Sequence, residues 1–421
     1  MLDIKFIRDH QDLVAAAAKK KHVDFDVREL IEADDRRKEL LQSVEGKRER
    51  QNAASLAIVA EKDPSKRTSL ITDMQRLKTE LAKDEDKLAA AMKTWQLLML
   101  RAPNVPDMSV PDGVDDSGNM EVRVWGKKPE FNFTPKSHDE LLKLNDMADL
   151  ERGVKVAGFR GYFLKNDGAL LNFAIWNFVI DRFRKKDFIP IIAPSVIKRE
   201  VFMGTGYIPQ GEDDLYKTQD GAYLAGTSEV PAMGYYMDEV LEEKQLPVKF
   251  FAFSPCYRRE AGSHGKDTKG VFRIHEFFKF EQVVMCAASH EESVRLHEEL
   301  TANSEALLQE LELPYHVVVN CGGDLGLGQV KKYDIEAWVP SENRYRETHS
   351  SSYFHDFQTR RLNIRYKDKE GKMRFAHSLN NTALATPRIL VSILENNQNA
   401  DGSIRVPKVL QPYLGKDLIR K

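Results

Sequence analysis

Residues 253–282 read FSPCYRREAGSHGKDTKGVFRIHEFFKFEQ: two runs of alternating charged and apolar residues on either side of a loop of glycines and lysines. Alternation with a period of two marks a strand, whose successive side chains point to opposite faces. Arg273, His275, Phe277, Lys279 and Glu281 are therefore expected along one side of one strand, with Arg258 and Glu260 sharing a side of its partner. The joining stretch, 261–272, carries Gly262, Gly265, Gly270, Lys266 and Lys269, so it is flexible, positively charged and long for a hairpin. Long hairpin loops are often functional. A face with arginines for phosphate, one ring for stacking and carboxylates for amines suits a nucleotide plus a small zwitterion.

Further strand-like runs lie at 315–319, 334–339, 360–366 and 373–379, besides 249–258 and 272–284, and helical patterns at 170–186 and 290–311. The turn DKEGK, with Gly371, predicts an antiparallel hairpin between the last two runs. No short strand–helix–strand repeat dominates, so an α+β fold with an antiparallel sheet flanked by helices is expected over a doubly wound one.

Towards the N-terminus the texture changes. From about residue 26 to 100, Glu, Lys, Arg, Ala and Leu dominate, with one glycine, Gly46, and one proline, Pro64. Leu70, Met74, Leu77, Leu81, Asp84, Leu88, Ala91 and Trp95 follow alternating steps of four and three, the seam of a coiled coil broken only by Asp84. Val27, Leu30, Leu41, Val44 and Ile58 keep a weaker version, and EKDPSKRTS (61–69) supplies the reversal. An antiparallel helical hairpin about 50 Å long follows from the ~1.5 Å rise per residue. The proline-rich stretch RAPNVPDMSVPDGVDDSGN (101–119) ends it, giving an arm over 1–105, a linker over 106–135 and a second domain over 136–421.

The 421 residues, 42% hydrophobic and 30% charged, allow two domains with a sizeable core. A net charge of −2 confines any nucleic-acid contact to local basic patches, such as Lys19 to Lys21, Lys47, Arg48 and Arg50. Three scattered cysteines, Cys256, Cys286 and Cys321, fit a reducing cytoplasm, and no apolar run of about eighteen residues suggests a membrane span.

Three more segments sharpen the functional reading. GTSEVP is expected to set Thr227 and Glu229 on one strand face; RYRETHSSSYFHDFQTRR offers Glu347 beside the hydroxyls Ser350 to Ser352; HSLNNTALATPR puts Asn380 and Thr382 before a helix that opens with Pro387 and Arg388. Proline is tolerated at a helix start, where phosphate is also held.

CYRRE with RIHEF resembles the second signature motif of class II aminoacyl-tRNA synthetases, LNNTALATPR the third, and DFIPIIAPSVIKREVFMGTG the first. With MLDIKFIRDH, the hairpin, PNVPDMSVPDG, VRVWGKKPEFNF, GTSE, REAGSHGKDTKG and DFQTRR in order, the whole chain resembles the seryl-tRNA synthetase family. The resemblance implies activation of L-serine by ATP, with Mg2+, and transfer of the seryl group to the 3′-end of tRNA-Ser, with tRNA-Sec as a possible second acceptor. Catalysis falls to Arg258, Glu347 and Arg388, and ATP binding to Arg258, Arg259, Glu260, Arg273, Phe277, Glu347, Thr348, His349, Ser350 and Arg388. Thr227, Ser228, Glu229, Arg258, Glu281, Asn380 and Thr382 take serine, and Glu347 and Ser350 hold the metal. Pro194 marks the interface of a homodimer, and the arm meets the long variable arm of the tRNA.

His349, Tyr353 and His355 depart from the family's usual residues after the magnesium glutamate, as do Asn381, Thr382, Ala383 and Pro387 in the third motif. Together with His377, the two histidines of this group lack cysteine or carboxylate partners at ligand spacing, so a structural zinc is not expected. A paralogue that loads another carrier would lack the long arm, and an interaction protein with a dead catalytic domain would lack Arg258, Glu347 or Arg388. The chain has all of these.

Overall fold

The computed structural model describes residues 1–262, 265 and 267–421, so Lys266 of the basic loop lies outside the described residues. They form two compact units, one of residues 2–19 and 23–103, the other of residues 1, 20–22 and 104–421.

The first unit is helical. Short helices α1 (Ile4–Asp9) and α2 (Gln11–Lys20) precede the long pair α3 (Val27–Ala60) and α4 (Pro64–Arg101). Asp26 and Asp63 start the long helices by accepting from the backbone N–H of Arg28 and Ser65, and Pro64 occupies the first turn, where its missing donor costs nothing. Leu77 and Leu81 of the anticipated seam are buried, as are Val27, Leu30 and Val44 opposite; of the adjacent leucines on α3, Leu40 is buried and Leu41 is turned outwards. Asp84 breaks the seam without loss because Ser43 and Lys47 of α3 reach it at 3.0 and 2.8 Å. The deeply buried Asp34 is likewise matched, by Arg8, Arg37 and Lys38 at 2.6, 2.7 and 2.8 Å.

The second unit is built on an eight-stranded sheet. Its strands are β1 (Met120–Trp125), β2 (Ile189–Ile192), β3 (Val248–Tyr257), β4 (Glu276–Cys286), β5 (Tyr315–Val319), β6 (Lys331–Val339), β7 (Arg344–His355) and β8 (His377–Thr386). They lie in the order β1-β5-β6-β7-β8-β4-β3-β2, every neighbouring pair antiparallel except the edge pair β2–β3. The helices that matter for the site are α5 (Asp167–Phe183), α6 (Glu229–Met233), α7 (His290–Glu310), α8 (Phe357–Arg361) and α9 (Arg388–Asn396).

Alternation along β3 and β4 separates core from site. Phe251, Phe253, Phe278 and Phe280 take one face, where Phe251 stacks between Phe183 of α5 and Phe280 at 4.4 and 5.0 Å, and Trp176 meets Phe253 and Phe278 edge-on. Each fully buried ring of this kind contributes about 1.5–3 kcal/mol. The other face is left to Phe277, Lys279 and Glu281.

The antiparallel architecture is as the sequence predicts, but four local expectations need correction. Thr227 and Glu229 are not on a strand: Glu229 opens α6, and Pro231 in that first turn suits a helix start while denying a strand its donor. Asn380 and Thr382 lie inside strand β8, since this segment pairs with both β7 and β4. Arg273 and His275 precede β4, because the left-handed backbone of Glu260 (φ 54°) turns the chain away just after Arg258. The run 360–366 begins inside α8, which ends at Arg361, turns at Asn363 (φ 54°), and only then becomes the strand Arg365–Lys367, which pairs with Met373–Phe375 as the hairpin foreseen around Gly371.

Candidate active site

Strand register assembles one polar face across four strands. Glu281 of β4 stands opposite Thr382 of β8, and Ser352 of β7 opposite Asn380. Beyond them Ser350 and Ser352 pair with Asp334 and Lys332 of β6. Glu347 and Ser350, three apart, would fall on opposite faces of a regular strand. The register shift between Ile335 and Glu336, which pairs Glu347 with Glu336 and leaves Thr348 unmatched, brings them to the same side. Thr348 and His349 form that bulge and turn inwards: Thr348 Oγ1 donates to the Ile335 carbonyl at 3.1 Å and contacts His349 Nδ1 at 2.8 Å. Burial drives His349 down to about 4, so its imidazole is neutral.

Arg258 immediately follows β3. Its Nε donates to the Gly226 carbonyl at 3.0 Å, and its guanidinium lies 5.3 Å from the centre of the Phe277 ring. Arg273 donates to Glu260 at 2.6 Å and to Asp267 at 3.2 Å, which ties the two ends of the long loop together. At the loop's return, a Cβ on Gly270 would fall 2.0 Å from His138 Nε2, so glycine is required there. Arg259 is exposed and donates to the Asp213 carbonyl at 3.1 Å.

Arg388 is the first residue of α9. It lies over Phe272 at 4.6 Å, donates to the Glu347 carbonyl at 3.2 Å and approaches the Glu347 carboxylate at 3.6 Å. Partial loss of water around the Glu347 carboxylate, which is itself still exposed, pushes its acid up, but Arg388, Lys332, Arg258 and Lys279 together hold it below its ordinary value, so it is ionised.

One part of the face carries small hydroxyl and acidic residues. Thr227, Ser228, Glu229, Glu281, Asn380 and Thr382 are all buried. Both oxygens of Glu229 are engaged, by Tyr207 Oη at 3.0 Å and Gln358 Nε2 at 2.7 Å. Burial raises its acid, which Gln358, Lys279, Tyr207 and Asn380 only partly offset. Glu281 pairs with Lys279, two residues back on the same face; burial and the charge of Glu229 still lift its acid to about 7. Ser228 points elsewhere, donating to the Lys279 carbonyl at 3.0 Å and meeting Ser254 at 2.9 Å, so it braces β3 and β4.

Arg258, Phe277, Glu281, Thr382, Glu347 and Arg388 thus gather around one face, with Glu260 and Arg273 on the loop beside it. Sequence reasoning missed Tyr207, Gln358 and Asp334. Gln358 lay within the DFQTRR segment, where nothing marked it for the site, whereas Asp334 could have been found from its pairing with Ser350 had the bulge been known.

Residues 1–106 match the family model of the seryl-tRNA synthetase N-terminal domain, and 214–397 that of the class II tRNA synthetase core domain (G, H, P, S and T). A serine–tRNA ligase of Deinococcus radiodurans is 45% identical over 416 residues, 99% of this chain and 98% of the relative. The chain belongs to the seryl-tRNA synthetase family. A second serine–tRNA ligase of the family, from Carboxydothermus hydrogenoformans, is 42% identical over the full length of both chains. The solved seryl-tRNA synthetase of Pyrococcus horikoshii, complexed with ATP, superposes with a TM-score of 0.90 at 37% identity and covers 100% of this chain and 99% of that one. The features named above as departures, Thr382 and Pro387 among them, therefore sit within a chain whose membership is plain.

Proposed function

We infer that this chain is a serine–tRNA ligase, which joins L-serine to AMP at the expense of ATP and then passes the seryl group to tRNA-Ser. The single observation that carries the reading is the convergence of Arg258, Glu347 and Arg388 on the face that also holds the Glu281–Thr382 pair.

In the first step a carboxylate oxygen of serine attacks the α-phosphorus of ATP, the bond to the β-phosphate breaks, and pyrophosphate leaves. Negative charge builds on the α-phosphoryl oxygens as it does so, and a preorganised guanidinium at that point lowers the barrier without any side-chain nucleophile. We assign this role to Arg258, which is fixed by the Gly226 carbonyl and framed by Phe277. Phe277 stacks on adenine and Glu260 accepts from its amino group, while Arg273 and Arg388 hold the outer phosphates, with Arg388 at a helix start. Arg259 lends a further positive charge at the rim. In the second step the terminal ribose hydroxyl of the tRNA attacks the seryl carbonyl and AMP leaves.

Serine's ammonium and hydroxyl go to Glu281, Thr382 and the carbonyl- and hydroxyl-bearing residues around Thr227 and Asn380. Glu229, with both oxygens already engaged, shapes the wall and adds charge. Glu347 and Ser350 bring hard oxygen donors to one side of β7, a donor set that fits magnesium, and a bound ion there would neutralise the phosphates.

The homodimer is supported by the apolar surface at one sheet edge: Ile189 and Ile192 of β2, Leu170, Phe173 and Ile180 along one face of α5, and the exposed Pro194 just beyond β2. Domain limits of 1–105, 106–135 and 136–421 give the arm to tRNA. On it Lys47 and Arg48 are paired with Asp84 and Glu85, whereas Lys19 and Arg50 are exposed; Lys21 is buried against three carbonyls and is unsuited to phosphate. No helix among the described residues is long and apolar enough to cross a membrane, and the three buried free cysteines support the cytoplasm.

The test is amino-acid-dependent ATP–pyrophosphate exchange with all twenty amino acids, followed by charging of tRNA-Ser. Exchange with serine, lost in Arg258→Ala at unchanged melting temperature, is the expected result. Exchange with none would sink the reading.

A further inference from the structure

The polar face does not end at Glu347 and Ser350. It runs on to β6, where Lys332 and Asp334 stand opposite Ser352 and Ser350, and neither has a role in the chemistry above. Asp334 is 5% exposed, and one of its oxygens, Oδ2, is held from two sides, by Lys332 Nζ at 2.9 Å and Asn320 Nδ2 at 2.7 Å. Asn320 is itself anchored, donating to Asp324 at 2.7 Å, and Asp324 also accepts from Asn119 at 2.9 Å. This is a rigid mounting for one carboxylate.

The other oxygen, Oδ1, is buried with no hydrogen-bond partner among the described residues. A buried acceptor left unmet costs about 1–3 kcal/mol, and a charged one more. The imbalance is removed when something that donates a proton arrives on the polar face. Serine's groups and the nucleotide's phosphates bring no donor to this end, because Glu281 and Thr382 lie two strands or more away. A hydrated cation does: magnesium keeps several of its waters, and those waters are donors that point away from the ion.

We propose that Asp334 is a positioning residue for the divalent cation that accompanies ATP, its Oδ1 accepting a hydrogen bond from a water of the ion held by Glu347 and Ser350. The proposal rests on the reading of Glu347 and Ser350 given above. Lys332 then balances the charge of Asp334, so that two carboxylates can share one face with Glu347 ionised. A direct metal ligand would have to reach the ion itself, whereas Asp334 is sunk and pinned through Oδ2 while Glu347 is 46% exposed. Partners that orient bound groups in this indirect way typically change metal affinity about 10- to 100-fold when removed.

The experiment measures binding of a non-hydrolysable ATP analogue to the full chain by calorimetry, with and without Mn2+, and takes the ratio of the two affinities as the metal-dependent gain. Asp334→Asn is expected to reduce that gain about 10- to 100-fold while leaving metal-free analogue binding unchanged. Because this variant leaves the half-buried Lys332 without its carboxylate, the double variant Lys332→Met/Asp334→Asn is measured alongside it; it removes the charge imbalance and is expected to show the same loss. An unchanged gain in a folded variant, with only the melting temperature lowered, overturns the proposal and leaves Asp334 a structural counter-ion. Absence of any metal-dependent gain in the unmodified chain overturns the reading of Glu347 and Ser350 itself, and the proposal with it.

Discussion

Glu281 faces Thr382 directly across the β4–β8 ladder, a buried carboxylate and a buried hydroxyl held side by side. Selecting serine over alanine requires groups that are left unpaired when the substrate hydroxyl is missing, because size alone discriminates weakly. Thr382→Val keeps the volume and removes the hydroxyl. It is expected to lower kcat/KM for serine by about tenfold, the value of roughly one hydrogen bond, and to shrink the serine-to-alanine ratio by a similar factor. Pyrophosphate exchange with both amino acids reads this out; an unchanged ratio would assign the discrimination elsewhere in the pocket.

The same pair predicts a pH dependence. Burial, aided by Glu229, lifts the Glu281 acid to about 7 against the pull of Lys279. With serine's ammonium held by the ionised form, as proposed, binding below pH 7 must first expel a proton. The KM for serine is expected to rise by roughly tenfold per unit as pH falls below about 7 and to level off above it. Glu281→Gln should weaken serine binding throughout and flatten the profile. A KM that stays constant between about pH 5.5 and 8 in the unmodified chain would remove Glu281 from the ammonium site.

Arg388 makes a different kind of contact. It rests on Phe272, donates to the Glu347 carbonyl and faces the Glu347 carboxylate. Lysine keeps the charge but neither the stacking nor the two-pronged geometry. Arg388→Lys is therefore expected to lower kcat of pyrophosphate exchange about 10²- to 10³-fold, the usual cost of losing one donor to a developing charge. The melting temperature should stay within a few degrees. Activity within about threefold of the unmodified chain would make Arg388 a structural partner of Glu347 only.

How much of this was legible in the sequence depends on whether a residue announces itself by period. The hairpin arm did, because a seam repeats over many turns, and Asp84 could be seen as its break; what filled the break, Ser43 and Lys47 from the other helix, could not. The split of β4 into a phenylalanine face and a polar face follows from alternation alone. The bulge at Thr348 is a one-residue event with no period, so the alignment of Glu347 with Ser350 and Asp334 required the register of neighbouring strands. Thr227 and Asn380, expected in the serine pocket, were placed on the wrong local elements, since short segments near proline or between two partner strands take their form from the neighbours. Tyr207 and Gln358 come from distant parts of the chain and meet only at Glu229.

His316 carries the last prediction, on stability. From β5 its two ring nitrogens reach Glu121 of β1 and Glu336 of β6, each at 2.8 Å, and its ring stacks on Tyr345 of β7 at 4.1 Å. Burial lowers its pKa, but the two carboxylates more than compensate, and the net shift is upwards. The folded chain therefore holds this proton more tightly than the unfolded one, whose histidine titrates near ~6.5. The stabilisation is fully present below that pH and is lost as pH rises through the higher folded value. His316→Gln, which cannot gain the charge, is expected to melt lower than the unmodified chain at about pH 6, with the gap closing towards about pH 9. Thermal melts of both proteins at half-unit steps measure the gap directly; one of constant size across the range would mean that packing on Tyr345, not the charge shared by Glu121 and Glu336, is what His316 contributes.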